Sequence, residues 1–363
     1  MESLGMTPSF WLGKRVFVTG HTGFKGSWLC LWLSSLGAKV IGFSLPPVGE
    51  PNLFELANVK DVLVSIEGDI RNVDQLKKAL LESQPEIVFH LAAQSLVRPS
   101  YDDPLLTYQT NVMGTVNLLD CIRSIQMPCS VVNITTDKCY ENKEWYFGYR
   151  EFDALGGFDP YSNSKACSEL VTSSYRSSFF NPDNFQTHQV AVATARAGNV
   201  IGGGDWAKDR LIPDVLKALE TNQTLDIRYP YAVRPWQHVL EPLHGYLLLA
   251  EKLNTLGTKF GKAWNFGPNH TETSSVGEVV DKLTEIWGAY LNWQTTNEKH
   301  PHEANYLRLD NSLARHELGW QPMLSIDKAL QLIVEWEKSR LRKADMRHVS
   351  LQQIEDYQKM VTH

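Results

Sequence analysis

Tyr161 and Lys165 stand four residues apart in Pro160-Tyr161-Ser162-Asn163-Ser164-Lys165-Ala166, and the chain continues as CSELVTSSYR with helical spacing. Residues at that interval share one helical face. A lysine cation near a phenol favours the phenolate, so the pair can take a proton from a sugar or alcohol hydroxyl while hydride leaves the same carbon. A lone pattern of this kind also fits a surface helix with a lysine stem lying along it. A second group closes the β-branched run Val131-Val132-Asn133-Ile134, where Thr135-Thr136-Asp137-Lys138 sets a carboxylate beside an amine. In water the ionised pair is favoured over the neutral one by roughly 9 kcal/mol, from a gap of roughly 6.5 pKa units. Burial penalises both ions and narrows that gap. The shared proton is expected to rest on Lys138 and to move once water is excluded. A turn is also required, because neighbours on a straight strand face opposite sides.

A third group is Thr19-Gly20-His21-Thr22-Gly23-Phe24-Lys25-Gly26, which follows the strand-like RVFV and opens the amphipathic SWLCLWLSSLG. Glycines at three-residue intervals between a strand and a helix permit a sharp turn, close approach of a diphosphate to backbone N–H groups, and tight helix packing. Its place in the first strand-turn-helix of the chain marks a dinucleotide site. Asp69 with Ile70, and Leu91, Ala92 and Ala93 of HLAAQ, are the expected walls for adenine and ribose. The second strand ends at Ser44 with no acid to grip a ribose diol and no arginine close behind it, which leaves NAD against NADP open at that position.

The elements that must hold these groups follow from texture. RVFVTG, KVIGFS, VLVSIEGD, EIVFHLAAQ, CSVVNITT and QVAVATARA are apolar runs separated by helix-length segments. That alternation predicts an α/β, doubly wound, mostly parallel sheet of Rossmann type with a smaller C-terminal α/β lobe. We expect residues 1–195 plus 234–263 to form the dinucleotide domain, 196–233 plus 264–345 the substrate lobe, and 346–363 a tail whose helix lies on the surface or against another subunit. At 363 residues, 43% hydrophobic and 21% charged, the chain suits an ordinary globular protein. A net charge of -6 argues against a nucleic-acid binder. The five cysteines show no metal spacing and read as reduced, and the histidines are scattered, so no metal is expected. WLCLWLSSLG is too short to span a bilayer, so a cytoplasmic location without membrane contact is the expectation.

In combination TGHTGFKG, HLAAQ, the TTD strand end and YSNSK resemble the extended short-chain dehydrogenase/reductase family over most of the chain. The resemblance implies a nicotinamide cofactor, NAD, and a lobe for a nucleotide sugar, in a homodimer or homotetramer. Within the family, the strand end is similar to that of sugar-nucleotide 4,6-dehydratases. It implies that Tyr161 removes the O4 proton as C4 is oxidised, that Thr136 binds O4, and that Asp137 protonates the departing C6 hydroxyl. Where such enzymes usually carry Glu as the C5 base, this chain has Lys138. That departure, with RPWQHV and PHEANYLRLD, resembles the branch acting on CDP-D-glucose toward bacterial surface deoxyhexoses. Lys138 as base and Asp137 as acid is one assignment, and the reverse is the other. Substrate contacts implied in the same way are Gln94, Asn199, Arg234, Tyr306 and Arg308. Arg210 and Arg228 are weaker, with surface charge the favoured explanation, and His238 and His302 are expected to be structural. An epimerase, or a dehydratase of another nucleotide sugar, is the alternative on this scaffold.

Overall fold

The computed structural model describes residues 6–269, 274–295 and 306–361. Seven strands form one sheet: β1 (Arg15–Thr19), β2 (Lys39–Ser44), β3 (Val64–Glu67), β4 (Ile87–His90), β5 (Cys129–Ile134), β6 (Val190–Ala197) and β7 (Ala263–Phe266). Their order is β7-β6-β5-β4-β1-β2-β3 and every pairing is parallel. The apolar runs are continuous because a parallel sheet is covered on both faces. Alternate residues supply the two cores. Val16, Val18, Phe89 and Val132 pack with Trp28, Trp32 and Leu247 on one side, while Phe17, Val88 and Val131 pack with Leu76, Leu118 and Ile122 on the other. These partners lie on helices α1 (Phe24–Ser35), α2 (Val73–Ser83), α3 (Gly114–Ser124) and, after α4 (Pro160–Ser178) and α5 (Leu211–Thr221), α6 (Leu240–Leu256).

The smaller lobe has its own apolar core. Ile212 and Val215 of α5 meet Val280 and Leu283 of α7 (Val276–Trp287) and Leu330 and Ile333 of α8 (Ile326–Leu341). Leu225–Ile227 pairs in parallel with Trp293–Thr295 at its edge. Strand order reverses between β1 and β4, and in such sheets ligands bind beyond the carboxyl ends at that switch. All three chemical groups of the sequence emerge there.

Two features differ from expectation. β7 runs from 263 to 266, so the sheet continues past the boundary set at 263. Helix α9 (Met346–Val361), expected to be superficial, buries Met346, Ser350, Ile354 and Tyr357. Those positions make a single helical stripe among charged residues, and the stripe docks on α1, with Tyr357 5.7 Å from the Trp32 ring. Its hydroxyl donates to Oε2 of buried Glu241 at 2.7 Å, while Oε1 accepts the backbone N–H groups of Met323 and Leu324. Tyr357→Phe takes a donor from a buried carboxylate. It should lower the unfolding free energy by about 1–3 kcal/mol, seen as a lower denaturant midpoint at unchanged m.

Candidate active site

The glycine turn fits a dinucleotide. Gly20 has φ +77°, and a Cβ there would sit 2.7 Å from the Ala92 nitrogen, so β1 and the segment after β4 approach too closely for any side chain. A Cβ at Gly26 would overlap the Gly20 carbonyl, which fixes the packing of α1 on the turn. Gly23 caps α1 with no side-chain hydrogen bond, leaving the positive helix end for an anion. Thr19 Oγ1 accepts the Ala92 N–H at 3.1 Å and lies 2.7 Å from His90 Nδ1, and the Leu91 N–H donates to the Thr19 carbonyl, lacing β1 to β4. Phe24 lines the adjoining cleft. His21 is fully buried, its Nε2 2.7 Å from Ser65 Oγ, and burial lowers its pKa to about 4, so it is neutral. Asp69 is engaged by Arg71, which donates its backbone N–H at 2.9 Å and pairs through its guanidinium at 2.5 Å. Ile70 is buried against Gly114.

The required strand-end turn is present. β5 stops at Ile134, Thr136 caps a 3₁₀ turn over Asp137–Cys139, and both Asp137 and Lys138 line one cleft. A turn of three residues rotates neighbours by about 120° rather than the 180° of a strand. Asp137 is 1% exposed, and its Oδ1 accepts Thr136 Oγ1 at 3.0 Å. Oδ2 has no hydrogen-bond partner among the described residues. Burial raises this carboxyl, with Lys138, Thr136 and Arg234 opposing it less strongly. A Cβ at Gly198 would occupy the place of the carboxyl group, so Gly198 is what admits Asp137 there.

Tyr161 and Lys165 share the inner face of α4. Lys165 donates from Nζ to the Ile134 carbonyl at 3.0 Å, and burial lowers it to about 8. The expected lowering of Tyr161 is not found. Burial pushes the phenol up to about 12, and Thr136 and Arg210 only partly offset this. The phenol lies in a dry wall, and desolvation outweighs nearby positive charge.

The cleft, of about 530 Å³, is lined by Thr136, Asp137, Lys138, Tyr161, Asn199, Arg210, Arg228 and Arg234. Arg210 is thus more than a free surface charge: half-buried, it lines the cleft and pairs with buried Asp205 at 2.8 Å. Three expected substrate contacts do not line it. Gln94 spends its amide within its own loop, donating to the Leu96 carbonyl and Thr107 and accepting the Leu96 N–H. Asn111, buried in the π-turn Gln109–Met113, holds that loop from the other side. Of the extended segment beyond 305, Leu307 faces the cleft, while the Arg308 guanidinium lies 4.9 Å from the Tyr306 ring. Adjacent residues of extended chain point to opposite sides. His238 is buried and neutral, lowered by burial to about 3, whereas His302 lies outside the described residues.

Two cleft residues escaped sequence reasoning. Lys25, inside the glycine motif, is lowered to about 7 by burial and by Lys165 and Arg210. Asp214 is raised to about 6, chiefly by burial. All five cysteines are unpaired, no cluster of metal-ligating side chains occurs among the described residues, and none of the described helices is long and apolar enough to cross a membrane.

A family model for GDP-mannose 4,6 dehydratase matches residues 17–333. CDP-glucose 4,6-dehydratase of Salmonella typhimurium is 54% identical over 354 residues, covering 98% of this chain and 99% of its own. CDP-paratose 2-epimerase of Salmonella typhi is 30% identical, over 90% of this chain and 99% of its own. The solved dTDP-glucose 4,6-dehydratase of Streptomyces venezuelae, with NAD bound, superposes with a TM-score of 0.76 at 25% identity, over 92% of this chain and 99% of that one. The glycine turn, the strand-end Thr-Asp and the tyrosine-lysine helix thus meet in one cleft of a chain that belongs to the GDP-mannose 4,6 dehydratase family, within the extended short-chain dehydrogenases/reductases.

Proposed function

We propose that the chain catalyses the NAD-dependent 4,6-dehydration of CDP-D-glucose to CDP-4-keto-6-deoxy-D-glucose. The observation that carries this reading is a buried, raised carboxyl, Asp137, in one cleft with Lys138 and Tyr161. The 54% identity to CDP-glucose 4,6-dehydratase supports the nucleotide. Held at Gly20, Gly23 and the start of α1, NAD supplies a reversible hydride store for the sugar's C4 and C6. Thr136 orients O4, and Tyr161, as the phenolate, takes its proton as C4 becomes a ketone; burial opposes that phenolate, while Thr136 and Arg210 favour it. That ketone acidifies the C5 hydrogen. Lys138, as the base, removes the C5 proton while Asp137 gives its own to the C6 hydroxyl, which leaves as water; as hydride adds at C6, Lys138 returns a proton to C5. One proton shared by Asp137 and Lys138 suffices, and the burial that raises the Asp137 carboxyl supports its use as the acid. Asn199, Arg234, Arg210 and Arg228 supply donors and positive charge for the diphosphate. A cytoplasmic homodimer or homotetramer is the matching assembly, which light scattering reads directly.

Among CDP-, dTDP-, UDP- and GDP-glucose, the purified protein should give 4-keto-6-deoxy product best from the CDP sugar. Preference for another sugar, or C4 inversion without loss of water, would overturn this assignment. Asp137→Asn should slow product formation by about 10²–10⁴-fold, the usual contribution of a positioned acid. Lys138→Met should abolish exchange of solvent deuterium into C5, and retained exchange would make Asp137 the base. Gly198→Ala, which displaces the Asp137 carboxyl, should lower kcat by roughly 10²-fold with the fold intact by circular dichroism.

A further inference from the structure

Beneath the strand-end turn lies a charge pair that none of these steps uses. Glu169 and Arg196 are each 3% exposed and meet at 2.8 Å. Glu169 stands one turn beyond Lys165, on the face that carries Tyr161. Its Oε1 accepts the Thr135 hydroxyl, and its Oε2 accepts Thr194 Oγ1 at 2.7 Å and Arg196 Nη2 at 2.8 Å. One carboxylate therefore ties α4 to the end of β5 and to β6, directly below Thr136 and Asp137. Arg196 Nη1 extends the brace to the Tyr140 hydroxyl at 2.7 Å, and Tyr140 donates to Asn265 of β7.

Stability alone does not call for such a pair, because well-packed apolar residues often serve as well. Lys165 gives it another use. This ammonium is 5% exposed, and among the described residues no carboxylate lies within ion-pair distance of it. Burial works against its charge, and of the groups around it Glu169 is the strongest in restoring it, followed by Cys139. His90, lowered to about 3 by burial, is neutral, and Lys25, lowered to about 7 by burial and by Lys165, carries only part of its charge at neutral pH. Around Glu169 stand Arg196, Arg176 and Cys139. Burial would raise Glu169, but Arg196 and the three donors outweigh it and keep it ionised.

We propose that Glu169 is a positioning residue that keeps Lys165 cationic across neutral pH and pins the Thr135–Thr136 turn, with Arg196 making a buried carboxylate tolerable there. The proposal rests on the role given above to Tyr161 and Lys165. Its sign is fixed: Lys165 carries its charge below about 8 and loses it as pH rises through that value. Without Glu169 the loss comes at lower pH.

Glu169→Gln removes the negative charge alone and keeps an oxygen for Arg196 and the Thr135 and Thr194 hydroxyls, whereas removing Arg196 with it would cancel much of the change in field at Lys165. The basic limb of kcat against pH should move down by about one unit or more, with KM changed less than about twofold. The Lys165 signal in ¹³Cε-lysine NMR, assigned with Lys165→Arg, should titrate lower by the same amount. Glu169→Asp, which keeps the charge but draws it back by one methylene, should move both by less than half as much, and it serves if Glu169→Gln does not fold. Folded variants in which limb and lysine titration both stay at the wild-type position overturn the proposal and leave Glu169 a brace alone. A wild-type protein that turns over no nucleotide sugar defeats the functional reading instead, while the lysine titration still decides the role of Glu169.

Discussion

Keeping one carboxyl out of water is the constraint around which the site is built. Asp137 is 1% exposed with one oxygen unpartnered among the described residues, and a buried polar group in that state costs free energy unless its surroundings compensate. Several unrelated choices serve that end. Gly198 contributes no side chain where the carboxyl must lie, Thr136 gives a single hydroxyl, and the 3₁₀ turn brings Lys138 to the same cavity. The penalty is met by a raised proton affinity, which suits the acid role proposed for Asp137.

The sheet makes such a site affordable to fold. Strands β5 and β6 are buried on every residue and pair in register from Cys129 with Val190 to Ile134 with Ala195, so the turn hangs from a rigid edge. The lobe closes the other side with Arg210, Arg228 and Arg234. A chain with net charge -6 can thus still draw an anion, because cations gathered in one low-dielectric cleft set the local field.

How much of this was legible in the sequence depended on whether the signal was local. Six strands and the glycine turn were, since apolar runs and a strand-turn-helix pattern are short-range. So was the face shared by Tyr161 and Lys165. The stripe of α9 was not, because only every third or fourth residue is buried and the rest are charged. Gln94, Tyr306 and Arg308 were assigned by motif, yet loop hydrogen bonding and strand alternation turn them from the cleft. Lys25 and Glu169 sit inside or beside recognisable motifs and Arg210 was weighed as surface charge, yet what each of them meets comes from elements far away in sequence, and no local pattern announces those partners. The rise of Tyr161 was equally hidden, since spacing shows a neighbour's charge but not the absence of water.

The docking of α9 reaches beyond the native state. Trp32 is part of the first helix to be synthesised, but its ring waits for Tyr357, some three hundred residues later, and Glu241 waits with it. During translation the sheet can assemble from its early strands while one flank stays open and greasy. A polypeptide that stopped a few turns short of α9 would therefore leave apolar surface around Trp32 and the Glu241 carboxylate without their native cover.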